Sequence, residues 1–175
     1  SLSALKIEGG GTLETNLSKI DDLDVENTVA RFQKGIKGAN EVDVFEGKVR
    51  ALDIETKSLG FERSTVSADN VEVTEDPVVV GNGSLLTHPP TTTDTTHTLS
   101  FSAPGLKVKF KGEIDVTGRG YRGGRWWTNE SSPGNNRGGS HGGRGLSDRD
   151  EMPTYGNLFE PTFPGSGGRN GTRDN

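Results

Sequence analysis

The sequence predicts an all-β protein, a right-handed parallel β-helix (solenoid) carrying an ordered glycine-rich loop lobe. Three observations lead there. A short apolar–charged–apolar triplet recurs along the first two thirds of the chain, helix signals are poor throughout, and the apolar content is low. Hydrophobic residues make up 28% of the 175, with 26 glycines beside them. A typical globular domain has about 45–50% on a count that includes glycine, and glycine brings no side chain to bury. The core is therefore thin. A thin core suits a solenoid or a flat sandwich better than a compact α/β enzyme, whose buried parallel strands read as long apolar runs.

The triplets are Leu5-Lys6-Ile7, Leu23-Asp24-Val25, Val42-Asp43-Val44, Leu52-Asp53-Ile54, Val71-Glu72-Val73 and Ile114-Asp115-Val116, with Leu106-Lys107-Val108 as a copy with a basic middle. Two side chains point inward and one outward, the alternation of a strand. Steps from 5 to 23 to 42 are 18 and 19 residues, and 52 to 71 is again 19. The step from 42 to 52 is 10, which reads as a half-length turn. A strand that returns at this interval is the mark of a coil stacking rung on rung. A β-sandwich, whose short strands recur every 8–12 residues or multiples of that, is the alternative. The best amphipathic helical window, Leu17 to Phe32, is interrupted by Asp21-Asp22 and by β-branched residues.

Residues 1–117 form the expected scaffold. Within it, Gly81-Asn82-Gly83-Ser84 signals a turn, and His88-Pro89-Pro90 blocks helix and central strand. The Thr-rich stretch at 87–98 reads as an exposed edge strand or an extended, O-glycosylated linker. Strand patterning returns at Leu99, Phe101, Leu106, Val108 and Phe110, and again at Ile114 and Val116. Residues 118–175 then turn glycine-rich. Their aromatic side chains bury large areas and are the expected anchors of a lobe packed on the scaffold or on a neighbouring subunit. Those anchors are Tyr121, Trp126, Trp127, Tyr155, Phe159 and Phe163.

Residues 80–168 carry a further pattern. Leu85-Leu86-Thr87-His88 is followed by the threonine run and then by Ile114-Asp115-Val116-Thr117-Gly118-Arg119-Gly120-Tyr121. Gly139-Ser140-His141-Gly142-Gly143-Arg144-Gly145 and Tyr155-Gly156-Asn157-Leu158-Phe159-Glu160-Pro161-Thr162-Phe163-Pro164-Gly165-Ser166-Gly167-Gly168 come next. This succession resembles glycine-rich parallel β-helix modules of very large secreted, adhesin-like surface proteins. The resemblance implies surface structure, adhesion or matrix formation and carries no catalytic residues. After Gly168 the chain departs from the pattern, with Arg169-Asn170-Gly171-Thr172 where a returning strand is expected. That departure, with the opening on Ser1, reads as a fragment or a processed product.

Chemistry is sparse. The net charge of −5 opposes chain-wide nucleic-acid binding, which needs excess Lys and Arg facing phosphate. Gly118-Arg119-Gly120-Tyr121-Arg122-Gly123-Gly124-Arg125-Trp126-Trp127 does look like an RGG-type RNA-binding tail, with arginine for phosphate and aromatics for stacking. Acidic residues at Asp148, Asp150, Glu151 and Glu160 weaken that alternative. No cysteine is present, which excludes disulfides and thiolate chemistry. The three histidines, His88, His97 and His141, form no zinc-ligand spacing, and His97 reads as a strand residue. Asp24, Asp43, Asp53, Glu72 and Asp115 share the triplet's middle position and are expected on one solvated face. Paired carboxylates there give a polysaccharide-binding or polysaccharide-cleaving β-helix as a further alternative. Asp148, Asp150 and Glu151 are weak calcium candidates; no other cofactor is expected. Asn16, Asn82, Asn129 and Asn170 head N-x-S/T sequons and are candidate glycan sites. No apolar stretch approaches the roughly 18–20 residues needed to span a bilayer. The functional expectation is a non-enzymatic, secreted or cell-surface structural protein that self-associates into an oligomer or filament. A polysaccharide or mineral surface is its further expected partner, and nucleic acid and membrane insertion are not expected.

Overall fold

The structure, a computed structural model, describes residues 2–92, 94–121 and 159. It is all-β, and no helix occurs among the described residues. Every strand pairing is parallel, which makes the chain a β-solenoid. The scaffold of the sequence reading is thus observed, and the sandwich is not.

Two parallel sheets run the length of the stack. The first holds β1 (Leu2–Ile7), β3 (Ile20–Glu26), β5 (Ile36–Phe45) and β7 (Asp53–Glu62). Its next level is shared by β9 (Asn70–Val73) and β10 (Val78–Val80), and its last by β12 (Ser100–Ser102) and β13 (Leu106–Val108). The second sheet holds β2 (Thr12–Thr15), β4 (Val29–Phe32), β6 (Lys48–Ala51), β8 (Thr65–Ser67), β11 (Leu85–Thr87) and β14 (Glu113–Ile114). Each tier of the coil contributes one level to each sheet, so there are six tiers and five steps between them.

Register makes the side chains stack in columns. One inward column runs Leu5, Leu23, Val42, Leu59, and its neighbour continues Val44, Phe61, Val80, Val108. The second sheet contributes Leu13, Ala30, Val49, Val66, Leu86 and Ile114. In the middle tiers these residues are almost wholly buried, with Val42, Leu59, Val66 and Val80 each at 0% exposure. Burial of each such side chain contributes roughly 1.5–3 kcal/mol, and the columns share it between adjacent tiers.

The triplet reading needs two corrections. Leu52-Asp53-Ile54 is not a half-length turn. It opens the long strand β7, where Ile54 pairs Ile36 on one side and Val71 on the other. Leu52 itself faces solvent. The tier above Val42-Asp43-Val44 is Leu59-Gly60-Phe61, at a step of 17 residues. Nor do the five acidic middle residues share one face. Asp24 and Asp43 are register partners, Asp53 pairs Asn70, Glu72 pairs Glu55, and Asp115 belongs to the second sheet's side, where its N–H donates to Leu86 O.

Each tier turns from the first sheet to the second through the same corner, which the sequence reading passed over. Asn27, Glu46, Arg63 and Lys111 occupy it with φ of 49°, 50°, 49° and 56°, and glycine fills it at Gly10 and Gly83. A left-handed residue reverses the chain sharply, at a cost of about 1–2 kcal/mol when it is not glycine. The tiers above and below over-determine the strained position. Asn27 N–H donates to Phe45 O, Glu46 N–H to Glu62 O and Arg63 N–H to Asn82 O. A small residue follows each time: Gly11, Thr28, Gly47, Ser64, Ser84, Gly112. A Cβ on Gly112 would sit 2.8 Å from Val80 O, so nothing larger fits there without a shift. Ser64 and Ser84 are buried and bond backbone: Ser64 Oγ donates to Glu62 O (2.6 Å) and Ser84 Oγ to Phe61 O (3.1 Å).

The coil advances 17–20 residues per tier until the last step, which takes 28 from Val80 to Val108 and from Leu86 to Ile114. The surplus falls at Pro90–Thr98. By its contacts the chain divides into a first unit, Ser1–Pro89 with Leu99–Val116, and a second, Pro90–Thr98 with Thr117–Asn175. Within the second unit the threonine run is a loop closed on itself and carries no strand among its described residues. Thr91 N–H donates to Arg119 O (2.8 Å), and Thr91 Oγ1 accepts the His97 N–H (3.1 Å). Thr92 Oγ1 accepts the Thr95 N–H (3.1 Å), and the Thr96 and Tyr121 hydroxyls bond at 3.1 Å. Threonine hydroxyls that bond nearby backbone favour such turns over strands. His97, expected on a strand, is buried in this loop.

Candidate functional site

Two surfaces of the first unit concentrate chemistry. One is the outer face of the first sheet, where outward side chains also stack. Lys6, Asp24, Asp43 and Gly60 form one column, with Asp22, Glu41 and Ser58 beside it. Lys6 Nζ lies 3.0 Å from Glu8, 3.8 Å from Asp24 and 3.9 Å from Glu26. Its hydrogen bond to Glu8, followed by the charges of Glu8 and Asp24, raises its affinity for the proton. Asp43 has no such cation among the described residues. Partial burial, then the charge and hydrogen bond of Glu41, then Asp24, push its carboxyl up to about 6.

Gly60 shapes this face. A Cβ there would come 2.8 Å from Asp43 Oδ1, so the missing side chain is what lets the Asp43 carboxylate lie over the neighbouring tier. A trough of about 500 Å³ results, with Gly60, Ser58 and Gly81 in its lining together with Asp24, Asp43 and Lys109. Phe45 also lines it, and Arg63 covers that ring with its guanidinium 4.6 Å from the centroid. Chemically the face offers one carboxyl, Asp43, that holds a proton more readily than a free aspartate, beside the acidic side chain of Glu41. No group of three or more His, Cys, Asp or Glu among the described residues is placed to hold a metal ion.

The second surface is the last tier. Leu106, Val108, Ile114 and Val116 belong to the apolar pattern of the scaffold, and their counterparts one tier below include Val78, Val80 and Leu86, all at 0%. Yet they are 43%, 49%, 42% and 45% exposed, and Phe110 is 75% exposed. β13 hydrogen-bonds to β10 on one side and ends its sheet among the described residues. Lys109 N–H donates to Val80 O. Amides alternate sides along a parallel strand, so the Val108 N–H faces the free edge.

The remaining sequence candidates fall as follows. Tyr121 is buried, and Phe159 is 89% exposed. Trp126, Trp127, Tyr155 and Phe163 lie outside the described residues, as do Asp148, Asp150, Glu151, Asn129, Asn170 and most of the RGG-like stretch. Asn16 and Asn82 are both exposed. Ser84, which completes the sequon of Asn82, is the buried corner residue of its tier, and this structural role explains its presence. His88 is buried with Nδ1 2.7 Å from Pro89 O, a carbonyl that can only accept, so Nδ1 is the donor. No helix among the described residues is long and apolar enough to cross a membrane. The chain matches no protein family, no curated protein and no solved structure.

Proposed function

We propose that the chain is a structural segment of an extracellular filament, matrix or adhesive surface, in which the solenoid is extended by stacking. One observation carries this reading: the apolar columns run through every tier and stay about half exposed on the last. A stack that ended there in a monomer would be expected to carry polar residues in those columns or have them covered, since open strand edges pair with whatever fits. The rest of the surface suits a scaffold. Exposed ion pairs bridge successive tiers, Glu14 to Arg31 at 2.8 Å, Lys37 to Glu55 at 3.4 Å and Glu46 to Arg63 at 2.7 Å. Each is worth roughly 0–1 kcal/mol, so their role is to keep register and solubility. Contacts that repeat head to tail without closing give filaments. Electron microscopy with sedimentation velocity over a concentration series tests this. Assemblies that grow with concentration are expected, and a strictly monomeric species at high concentration overturns self-assembly.

The trough on the first sheet favours a second reading, a polysaccharide-binding surface. Its acidic lining selects neutral or amino sugars over uronic acids. Affinity electrophoresis in gels cast with neutral, cationic and anionic polysaccharides separates the cases; equal mobility in all three removes the reading.

A further inference from the structure

The edge of the last tier has a sequence of its own: Leu106-Lys107-Val108-Lys109 alternates apolar and basic residues. Leu106 and Val108 continue the inward columns, above Val78 and Val80. Lys107 stands over Val79, and Lys109 follows over Gly81, the residue after Val80. Neither lysine therefore has a carboxylate in the adjoining tier of its own column. Lys109 reaches Glu62, a tier further down, only at 4.0 Å, with both side chains solvated. The strand therefore carries two positive charges that the tier directly below it does not neutralise.

We propose that this edge takes a parallel strand alternating apolar and acidic side chains. The inference rests on the reading of the last tier as a stacking surface and adds the chemistry of the partner. The molecule contains a template for the pairing. At its other end β1 presents Leu5-Lys6-Ile7 against Leu23-Asp24-Val25 of β3, in register, with Lys6 bridging to Asp24 and Glu26. Placed on β13 in the same way, a β3-like strand sets Leu on Leu106, Asp on Lys107, Val on Val108 and Glu on Lys109. Strand addition of this kind draws its affinity from main-chain hydrogen bonds and its specificity from the alternating side chains. Lysines on an edge also repel a basic side chain set directly against them, so in this register an acidic strand is preferred over β1 of a second copy, which would bring Lys6 onto Lys107.

The test uses the full chain and a blocked, fluorescent peptide of the β3 sequence, Ile-Asp-Asp-Leu-Asp-Val-Glu, against a control with lysine at its four acidic positions. Anisotropy is expected to show binding of the acidic peptide at least about tenfold tighter than of the control, weakening as salt screens the charges. Exchanging both lysines (Lys107→Glu with Lys109→Glu) is expected to reverse the preference, and the Val108 amide is expected to gain hydrogen-exchange protection when the acidic peptide is bound. Equal affinity for the two peptides, or a preference that survives the double reversal, overturns the proposal. A chain that assembles but ignores the acidic peptide keeps the stacking reading and loses this one. A chain that takes the peptide but stays monomeric loses self-assembly and keeps the acidic-strand specificity.

Discussion

The middle and the last tier of this solenoid are built from the same kinds of residue and live in different environments. Leu59 and Leu106 lie in one column two tiers apart, and the first is 0% exposed while the second is 43% exposed. Both are leucines followed two positions on by a second inward apolar residue, Phe61 and Val108. In a stacked coil a side chain is buried by the tiers on both sides of it, so burial belongs to the position in the stack. The energy of each tier is then largely the energy of its two interfaces.

The sharpest way to break the comparison is to truncate both leucines. Leu59→Ala is expected to cost about 2–5 kcal/mol, the usual penalty for a core leucine. Leu106→Ala, half exposed, is expected to cost less than about 1.5 kcal/mol. Denaturant unfolding of both variants reads the difference, and equal costs would mean that the last tier is covered in solution.

Glycines give the second test. A Cβ at Gly81 meets Phe61 O at 2.5 Å and Glu62 Cα at 2.9 Å, both fixed backbone. At Gly60 it meets only Asp43 Oδ1, the far end of a side chain that can swing away. Gly81→Ala is expected to destabilise by roughly 1–3 kcal/mol, as overpacking does, and Gly60→Ala by less than about 1 kcal/mol. Thermal unfolding distinguishes them.

Third, Asp43→Asn removes a carboxylate that prefers to be neutral in the fold. Its folded value is raised from 3.8 to about 6. The stabilisation from protonation is therefore complete below pH 3.8 and lost as pH rises through 6. The asparagine variant is expected to match the native chain near pH 4 and to exceed it by about 1 kcal/mol at pH 7.5, a figure discounted for the solvent contact of Asp43. Melting curves across that window check it; a gap that is constant with pH contradicts the cause given. The smallest effect is at the corner. Lys111→Gly relieves a left-handed lysine (φ 56°) and is expected to change stability by no more than about 1 kcal/mol, in the stabilising direction.

Much of the scaffold was legible in the sequence because the first sheet's columns are Leu, Val and Ile flanking a charge, and that alternation survives reading without coordinates. The second sheet was not. Its tiers, such as Thr12-Leu13-Glu14-Thr15 and Lys48-Val49-Arg50-Ala51, place one or two small apolar residues among polar ones. A single buried Ala30 or Val66 does not announce a strand. The corner left a fainter trace. A left-handed turn is usually marked by glycine, and here asparagine, glutamate, arginine and lysine take most of the positions, the first three held by bonds to the adjacent tier. Only the small residue after each, glycine, threonine or serine at intervals of 17–20 until the last step, was available to find it. The carboxylate pair was half legible: Asp43 stood out as a triplet centre, but its neighbour Glu41 and the gap left by Gly60 depend on register. The threonine run misled because β-branched residues suit strands, whereas here their hydroxyls close a loop.

The most direct test of the open last tier is hydrogen exchange at the Val108 amide, compared with the Phe61 amide in the middle of the stack, as protein concentration is raised. In dilute solution Val108 should exchange close to the unprotected rate while Phe61 stays protected, and Val108 alone should slow as molecules associate. Protection of Val108 equal to that of Phe61 in dilute solution, unchanged by concentration, would show that the last tier is already closed and would contradict its role as the stacking surface.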